Sequence, residues 1–417
     1  MSLASVNKMR DSKELIVGLD IGTSKIVALV AESPPEGGVN ILGMGLAQSN
    51  GLRKGMVVNI ETTVSAIQRA LEDAELMANC KIGEVYTGIA GSHIRSLNSH
   101  GMVPIRDHEV TQNDIERVVE TARAVNISTD QQIIHVLPQE FIIDGQEGVR
   151  EPLGMSGVRL EVKVHIVTGA VSAAQNIVKC VRRCGLEVKD LILQPLASAL
   201  AVLNDDEKDL GVCLVDIGGG TTDLAVFTHG AIQHTAVLPI AGEQITNDIA
   251  MTLRTPTREA EDLKIRHGVA LRQLTDAREM IEVPGIGERG ARMLSKQLLS
   301  EVIEPRVEEL YSLVQAELRR SGFEQQISSG IVLTGGSSQM KGMVELAEEV
   351  FHMPVRVGVP EYVGGLSERV RSPAYATGVG LLLAGMEKHQ SDQEAKMQNA
   401  SFGQVLERMK AWFKNTF

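Results

Sequence analysis

Leu214-Val215-Asp216-Ile217-Gly218-Gly219-Gly220-Thr221-Thr222 decides the reading of this chain, because Val17-Gly18-Leu19-Asp20-Ile21-Gly22-Thr23 repeats its design about half a chain earlier. Each copy runs from an apolar stretch through an aspartate and a glycine turn to a hydroxyl residue. Each is followed by a second apolar stretch, residues 25–31 and 224–227. An apolar run broken by glycine and then resumed predicts strand, tight turn, strand. One Asp-Ile-Gly-Thr is compatible with an ordinary hairpin and a capping aspartate. Two copies predict two related lobes that face each other, in an α/β fold.

The chemistry that suits such loops is polyphosphate binding. Phosphate oxygens need backbone N–H groups at close range, and glycine permits the approach. Gly22, Gly218, Gly219 and Gly220 supply it, and Thr23, Ser24, Thr221 and Thr222 add hydroxyl donors. Lys25 is placed to neutralise phosphate charge. Asp20 and Asp216 repel phosphate directly, so each is expected to hold water on a Mg²⁺ ion that sits beside the phosphates. A third element, Ile331-Val332-Leu333-Thr334-Gly335-Gly336-Ser337-Ser338, reads as a buried strand that ends in a flat Gly-Gly turn, against which an adenine can lie. There is no Walker A loop, no His-Glu-x-x-His and no nucleophile elbow. Gly285-Ile286-Gly287-Glu288-Arg289-Gly290 matches the dinucleotide pattern, but it follows Pro284 without a strand–helix setting and reads as a plain loop.

The 417 residues are too many for one core and suit several lobes. Aromatic residues make up 3%, so the cores must be aliphatic and rich in Ala and Gly. The net charge of −12 argues against nucleic acid as the main partner. No signal peptide and no membrane-spanning run is evident. The four cysteines suit a reducing compartment, and Cys180 and Cys184 read as small helix residues. Helical spacing is expected over residues 62–77, 106–125 with a capping-type start at Thr111 to Asp114, 173–184, 243–254, 257–267 and 295–321, with Pro305 kinking or splitting the last. Small-residue helices are expected at 195–202 and 373–383, and strands at 133–143 and 158–167. Residues 388–400 lose their period and read as a flexible linker.

After that linker, Phe402, Val405, Leu406, Met409, Trp412 and Phe413 fall at spacings of three and four, with Gln404, Glu407, Arg408, Lys410 and Lys414 on other faces. This reads as a basic amphipathic helix for an anionic membrane surface. A helix docked on the protein's own core is the other reading; the linker and the concentration of aromatics argue against it.

Taken together, the two loops, the Gly335-Gly336 turn and the two small-residue helices resemble the actin/Hsp70/sugar-kinase superfamily. Within it the chain resembles the FtsA family of bacterial actin-like cell-division proteins, over almost its whole length. The matching stretches are residues 18–27, Gly91-Ser92-His93-Ile94, Pro152-Leu153-Gly154-Met155-Ser156-Gly157, residues 215–223, Val302-Ile303-Glu304-Pro305-Arg306 and residues 332–337.

The resemblance implies a two-lobed actin-like ATPase fold of duplicated ribonuclease-H-like domains, closing on ATP and Mg²⁺. The first lobe core would take residues 14–82, 164–195 and 366–386, with an inserted subdomain at 83–163. The second would take 196–242 and 322–365, with an outer subdomain at 243–321, a linker at 387–400 and the membrane helix at 401–417. Gly242, Glu243 and Lys264 would lie near the nucleoside with Gly335, Gly336 and Ser337. Arg306 and Glu309 would receive the C-terminal tail of FtsZ, although a solvated helix face is the plainer reading of that pair. The family also implies self-assembly into a protofilament, later division proteins as partners, and a peripheral place on the cytoplasmic face of the cell membrane at the division site. Gln194 stands where several relatives have an acidic residue that positions the attacking water. A glutamine is a poor base, so slow or absent hydrolysis is expected. A small-molecule kinase would need a general-base aspartate beside a polar sugar site, and no convincing one is found. An Hsp70-like chaperone would need a β domain after the lobes. A pilus-assembly ATP-binding protein of the same fold is a closer rival.

Overall fold

The computed structural model describes residues 15–34, 38–287, 289–361 and 363–390. Each Asp-Ile-Gly hairpin lies inside its own mixed sheet. The first sheet has six strands, in the order Glu187–Leu193, Glu84–Ile89, Leu15–Ile21, Lys25–Glu32, Val39–Gln48, Val363–Gly365. The second has five, in the order Ala231–Leu238, Thr222–Thr228, Val212–Ile217, Ile331–Thr334, Val355–Val357. The likeness extends to the connections. Leu15–Ile21 is antiparallel to Lys25–Glu32 and parallel to Glu84–Ile89, just as Val212–Ile217 is antiparallel to Thr222–Thr228 and parallel to Ile331–Thr334. The two lobes read from the repeat are therefore related in topology.

Helices cover both faces of the central strands, which explains their near-continuous apolar runs. Ile60–Ala78 and Val171–Arg183 pack on one side of the first sheet. Gln194–Val202 and a helix over residues 376–390 share a core with Ile16, Val27 and Leu29 of the first lobe and Leu214, Ala225 and Val332 of the second. These are the two small-residue helices, and their composition has a steric cause. A Cβ on Gly380 would lie 1.7 Å from the Ala197 carbonyl oxygen. The later helix opens with a tight turn at Pro373–Tyr375 and continues through residue 390. Residues 387–390, read above as linker, are thus helical, and Lys388 pairs with Asp190. Residues 391–417, with the rest of the linker and the amphipathic stretch, lie outside the described residues.

The inserted unit is a four-stranded antiparallel sheet, in the order Arg95–Pro104, Arg159–Ala170, Gln131–Ile143, Gln146–Val149, with helix Gln112–Arg123 packed on it. That helix opens with the expected box, Thr111 and Asp114 exchanging side-chain and backbone bonds. The boundaries 83 and 163 need correction. Glu84–Ile89 pairs inside the first-lobe sheet, and Arg159–Ala170 runs past 163. The unit also touches the second lobe: Ser96 Oγ donates to the Thr235 carbonyl at 3.0 Å, and Gln139 Nε2 to that of Ile232 at 2.9 Å.

Pro305 does not split its helix. Lys296–Ser321 is one helix, because Leu299 and Ile303 before the proline and Val307, Leu310, Val314 and Leu318 after it form one buried stripe. Proline removes a single N–H donor, and packing on both sides outweighs that loss. The glycines at 285, 287 and 290 lie in the loop between Met280–Val283 and Arg292–Ser295, as a plain loop should. No helix among the described residues is long and apolar enough to cross a membrane.

Candidate nucleotide site

Both glycine turns close with the same bond. Gly22 N–H donates to the Lys25 carbonyl and Gly218 N–H to that of Thr221, each at 3.0 Å. The turns meet across a cavity of about 1250 Å³ between the lobes. They come close enough that a Cβ on Gly220 would lie 2.7 Å from Thr23 Oγ1. The cavity is lined by Asp20, Gly22, Thr23, Ser24, Lys25, Gln194, Asp216, Gly218, Gly219, Gly220, Thr221, Glu243, Lys264, Gly335, Gly336 and Ser337, all expected from the sequence.

The second turn is fixed from behind. Gly242 N–H and Glu243 N–H, which open helix Gly242–Leu253, donate to the carbonyls of Gly218 and Gly219 at 3.1 and 2.8 Å. Ser337 Oγ donates to the Gly218 carbonyl at 2.9 Å. With those carbonyls held, the turn is fixed at the wall of the cavity. Lys264 is 8% exposed, and its Nζ donates to the Gly242 carbonyl, Thr246 Oγ1 and Glu261 Oε2. It therefore braces the start of this helix. Burial pushes the Glu243 carboxyl up, with Lys264 opposing.

Three carboxylates converge here. Burial pushes Asp20 up to about 7, with Lys25 opposing and Asp216 adding. Burial also raises Asp216, against hydrogen bonds from Ser198 Oγ at 2.6 Å and Thr377 Oγ1 at 3.4 Å. Asp223, which the sequence reading did not assign, sits opposite Asp216 in the hairpin register and lines the cavity. Burial, then Asp216, pushes it up to about 8. Its Oδ2 accepts from Thr221 Oγ1 at 2.9 Å, while its buried Oδ1 has no partner among the described residues. A signal was present: an acidic residue in an otherwise apolar strand, two places after the turn's threonine.

Lys25 Nζ is half-buried, donates to the Ala374 carbonyl and lies 4.5 Å from the centroid of the Tyr375 ring. Burial lowers its pKa, with Asp20 and Asp216 opposing. Thr222 is a correction. It does not line the cavity; it is fully buried and its hydroxyl donates to the Ile240 carbonyl at 2.7 Å. Strand alternation turns it away while Thr221 and Asp223 face the cavity. Thr23 Oγ1 accepts from Gly55 N–H at 3.1 Å.

Arg306 and Glu309 lie away from this cavity, on helix Lys296–Ser321. The Arg306 guanidinium makes a two-pronged pair with Asp248, at 2.5 and 3.1 Å, and also pairs with Glu309. Cys180 and Cys184 are free thiols, with Cys184 Sγ against the Cys180 carbonyl. No group of three potential ligands able to cage a metal occurs among the described residues.

Known proteins share both the fold and the sequence. A family model described as "Cell division protein FtsA" matches residues 213–380, and one described as "SHS2 domain inserted in FTSA" matches residues 91–168. Curated proteins named "Cell division protein FtsA" match nearly end to end. That of Pseudomonas aeruginosa is 61% identical, over 97% of this chain and 99% of its own length. That of Escherichia coli strain K12 is 47% identical, over 97% and 99%. Among solved structures, a "PilM-PilN type IV pilus biogenesis complex" superposes with a TM-score of 0.64 at 20% identity, covering 89% of this chain and 98% of that one. MreB5 of Spiroplasma citri bound to ADP gives 0.55 at 14%, covering 93% and 100%. At such identities these structures speak for the actin-like fold alone.

Proposed function

The chain belongs to the FtsA family of cell division proteins, and on that premise we propose that it is a nucleotide-switched membrane scaffold. Mg-ATP closes the lobes, closed subunits polymerise, and the polymer lies on the cytoplasmic face of the cell membrane at the division site. The C-terminal tail of FtsZ docks beside Arg306 and Glu309, and later division proteins follow.

The observation that carries the nucleotide part is the matched pair of turns, with Asp20 and Asp216 facing one cavity. The donor set fits Mg²⁺ held through water. Asp20, Asp216 and Asp223 line the cavity together, and among the described residues the buried Oδ1 of Asp223 has no partner. When bound, the ion would neutralise phosphate beside these carboxylates. Lys25 is the cation that borders both the phosphate loop and the Asp20–Asp216 pair. Arg306 supports the FtsZ part: its pairs with Asp248 and Glu309 lie at the surface, where an acidic peptide can compete for guanidinium donors.

A single amphipathic helix binds a membrane weakly and reversibly, since helix formation opposes apolar burial. Many helices on one filament bind together by effective concentration, so assembly state sets membrane grip. The test is co-sedimentation with anionic liposomes of the full chain against a chain ended after Gln390, each with and without FtsZ. Helix 376–390 places that cut. The full chain should carry FtsZ down and the truncated chain should not. Failure of the full chain to do so removes this reading.

A further inference from the structure

We propose that, away from membranes, the amphipathic stretch of residues 402–413 docks on the protein's own first lobe, in a pocket at the open edge of strand Val39–Gln48. The inference rests on the membrane-helix reading above. Docked, the tail keeps its apolar face out of water and unavailable to lipid.

The pocket has a volume of about 600 Å³ and is formed by Met44 and Leu46, by Asp73, Leu76 and Met77, and by Arg369 and Tyr375. Its apolar members are out of place for a finished surface. Helix Ile60–Ala78 buries the stripe Val64, Ile67, Leu71 and Ala74, yet near its end Leu76 is 83% exposed and Met77 41%. Leu46 beside them is 47% exposed. Three large apolar side chains round one concavity mark a contact surface rather than scatter. The strand edge there is open too. Val363–Gly365 pairs only with Val39–Ile41, so residues 42–48 have no strand partner on that side among the described residues.

The occupant is argued from charge and reach, and its large apolar side chains suit a concavity at the surface of the lobe. Residues 401–417 contain the chain's one Trp and three of its seven Phe. The helix that walls the pocket carries exposed Glu72 and Asp73, while the tail carries Arg408, Lys410 and Lys414 against a single Glu407. The last described helix leaves the lobe beside Asp190 on strand Glu187–Leu193. That strand is four strand spacings from Val39–Gln48 in the sheet order, roughly 19 Å. Residues 391–401 span up to about 36 Å when extended, enough to cross the lobe. The pocket also has a short link to the nucleotide cavity. Tyr375 walls the pocket and lies under Lys25 Nζ, while Pro373 and Ala374 of the same turn line the cavity.

Trp412 reports the tail alone, because it is the one tryptophan of the full chain. In vesicle-free buffer its emission should be blue-shifted and shielded from acrylamide. The double variant Leu76→Glu/Met77→Glu, and separately Leu46→Glu, should shift it to the red and open it to quencher, with the circular dichroism of the folded protein kept. Both variants should then co-sediment with vesicles of phosphatidylglycerol and phosphatidylcholine in equal parts at lower protein concentration than the parent. A parent Trp412 already as quenchable as in the variants overturns docking. So does shielding that survives all three substitutions, or that grows with protein concentration, which would place the tail elsewhere or between copies. Release in the variants without any vesicle-induced blue shift would uphold docking and remove the membrane reading instead.

Discussion

Gln194 Nε2 donates to Asp20 Oδ1 at 3.3 Å, and Gly88 lies directly beneath it, where a Cβ would come within 2.7 Å of the Gln194 side chain. The amide is therefore confined against the carboxylate and can orient water without accepting its proton at neutral pH. Steady-state phosphate release from Mg-ATP should stay well below about 1 s⁻¹, the lower end of typical enzymes. Gln194→Glu should raise it, because a base replaces an amide in the same space. Fast turnover in the parent, or no gain in the variant, would remove the water-positioning role.

Asp223 has a buried carboxylate oxygen, Oδ1, without a partner among the described residues. Asp223→Asn removes a buried carboxyl whose neighbour Asp216 disfavours its charge, so the nucleotide-free protein should melt no lower than the parent. Saturation by Mg-ATP at a hundred times its dissociation constant would stabilise the parent by about 2.7 kcal/mol. The variant should gain clearly less at the same concentration. Thermal shifts with ATP, with and without Mg²⁺, read both effects.

His165 couples the inserted sheet to the second lobe, its ring nitrogens lying 2.7 Å from Asn98 Oδ1 and 3.0 Å from Thr235 Oγ1. Burial, with His234 adding to it, pushes its pKa down from 6.5 to about 4. Between those values the unfolded chain binds a proton that the folded one does not. Stability therefore rises with pH across that window and is lost as pH falls from about 6.5 toward 4. The full swing is on the order of 3 kcal/mol. His165→Gln should flatten this part of the melting-temperature profile; equal slopes in parent and variant would count against it.

Gly380 tests the joint between the lobes. Its Cβ would meet the Ala197 carbonyl oxygen at 1.7 Å, whereas a Cβ on Gly83 meets nothing within 4 Å. Gly380→Ala should cost about 1–3 kcal/mol by forcing packed helices apart, and Gly83→Ala should stay within about 0.5 kcal/mol of the parent. Denaturant midpoints compare the two directly.

Arg306→Ala should weaken FtsZ-tail capture without changing nucleotide affinity, since Arg306 lies away from the cavity. Titration of a labelled FtsZ-tail peptide, beside ATP binding on the same sample, separates the two. A parallel loss of both would point to general unfolding.

Local chemistry determined much of this protein. An apolar run, Asp, Gly and a hydroxyl specify a strand and a turn whatever surrounds them. The hairpins, the paired lobes, most residues that line the cavity and the capping box at Thr111 were therefore legible in the sequence. Other features are relations between distant segments, and only the tertiary structure decided them. Thr222 turns away while Asp223 turns in, because strand alternation acts in a register that no short window contains. Pro305 stays inside one helix because the core on both sides of it outweighs a missing hydrogen bond. Glu84–Ile89 joins the first sheet because its partners, Leu15–Ile21 and Glu187–Leu193, come from far along the chain. The open edge at Leu46 and the exposed Leu76 became meaningful only when strand and helix were seen side by side.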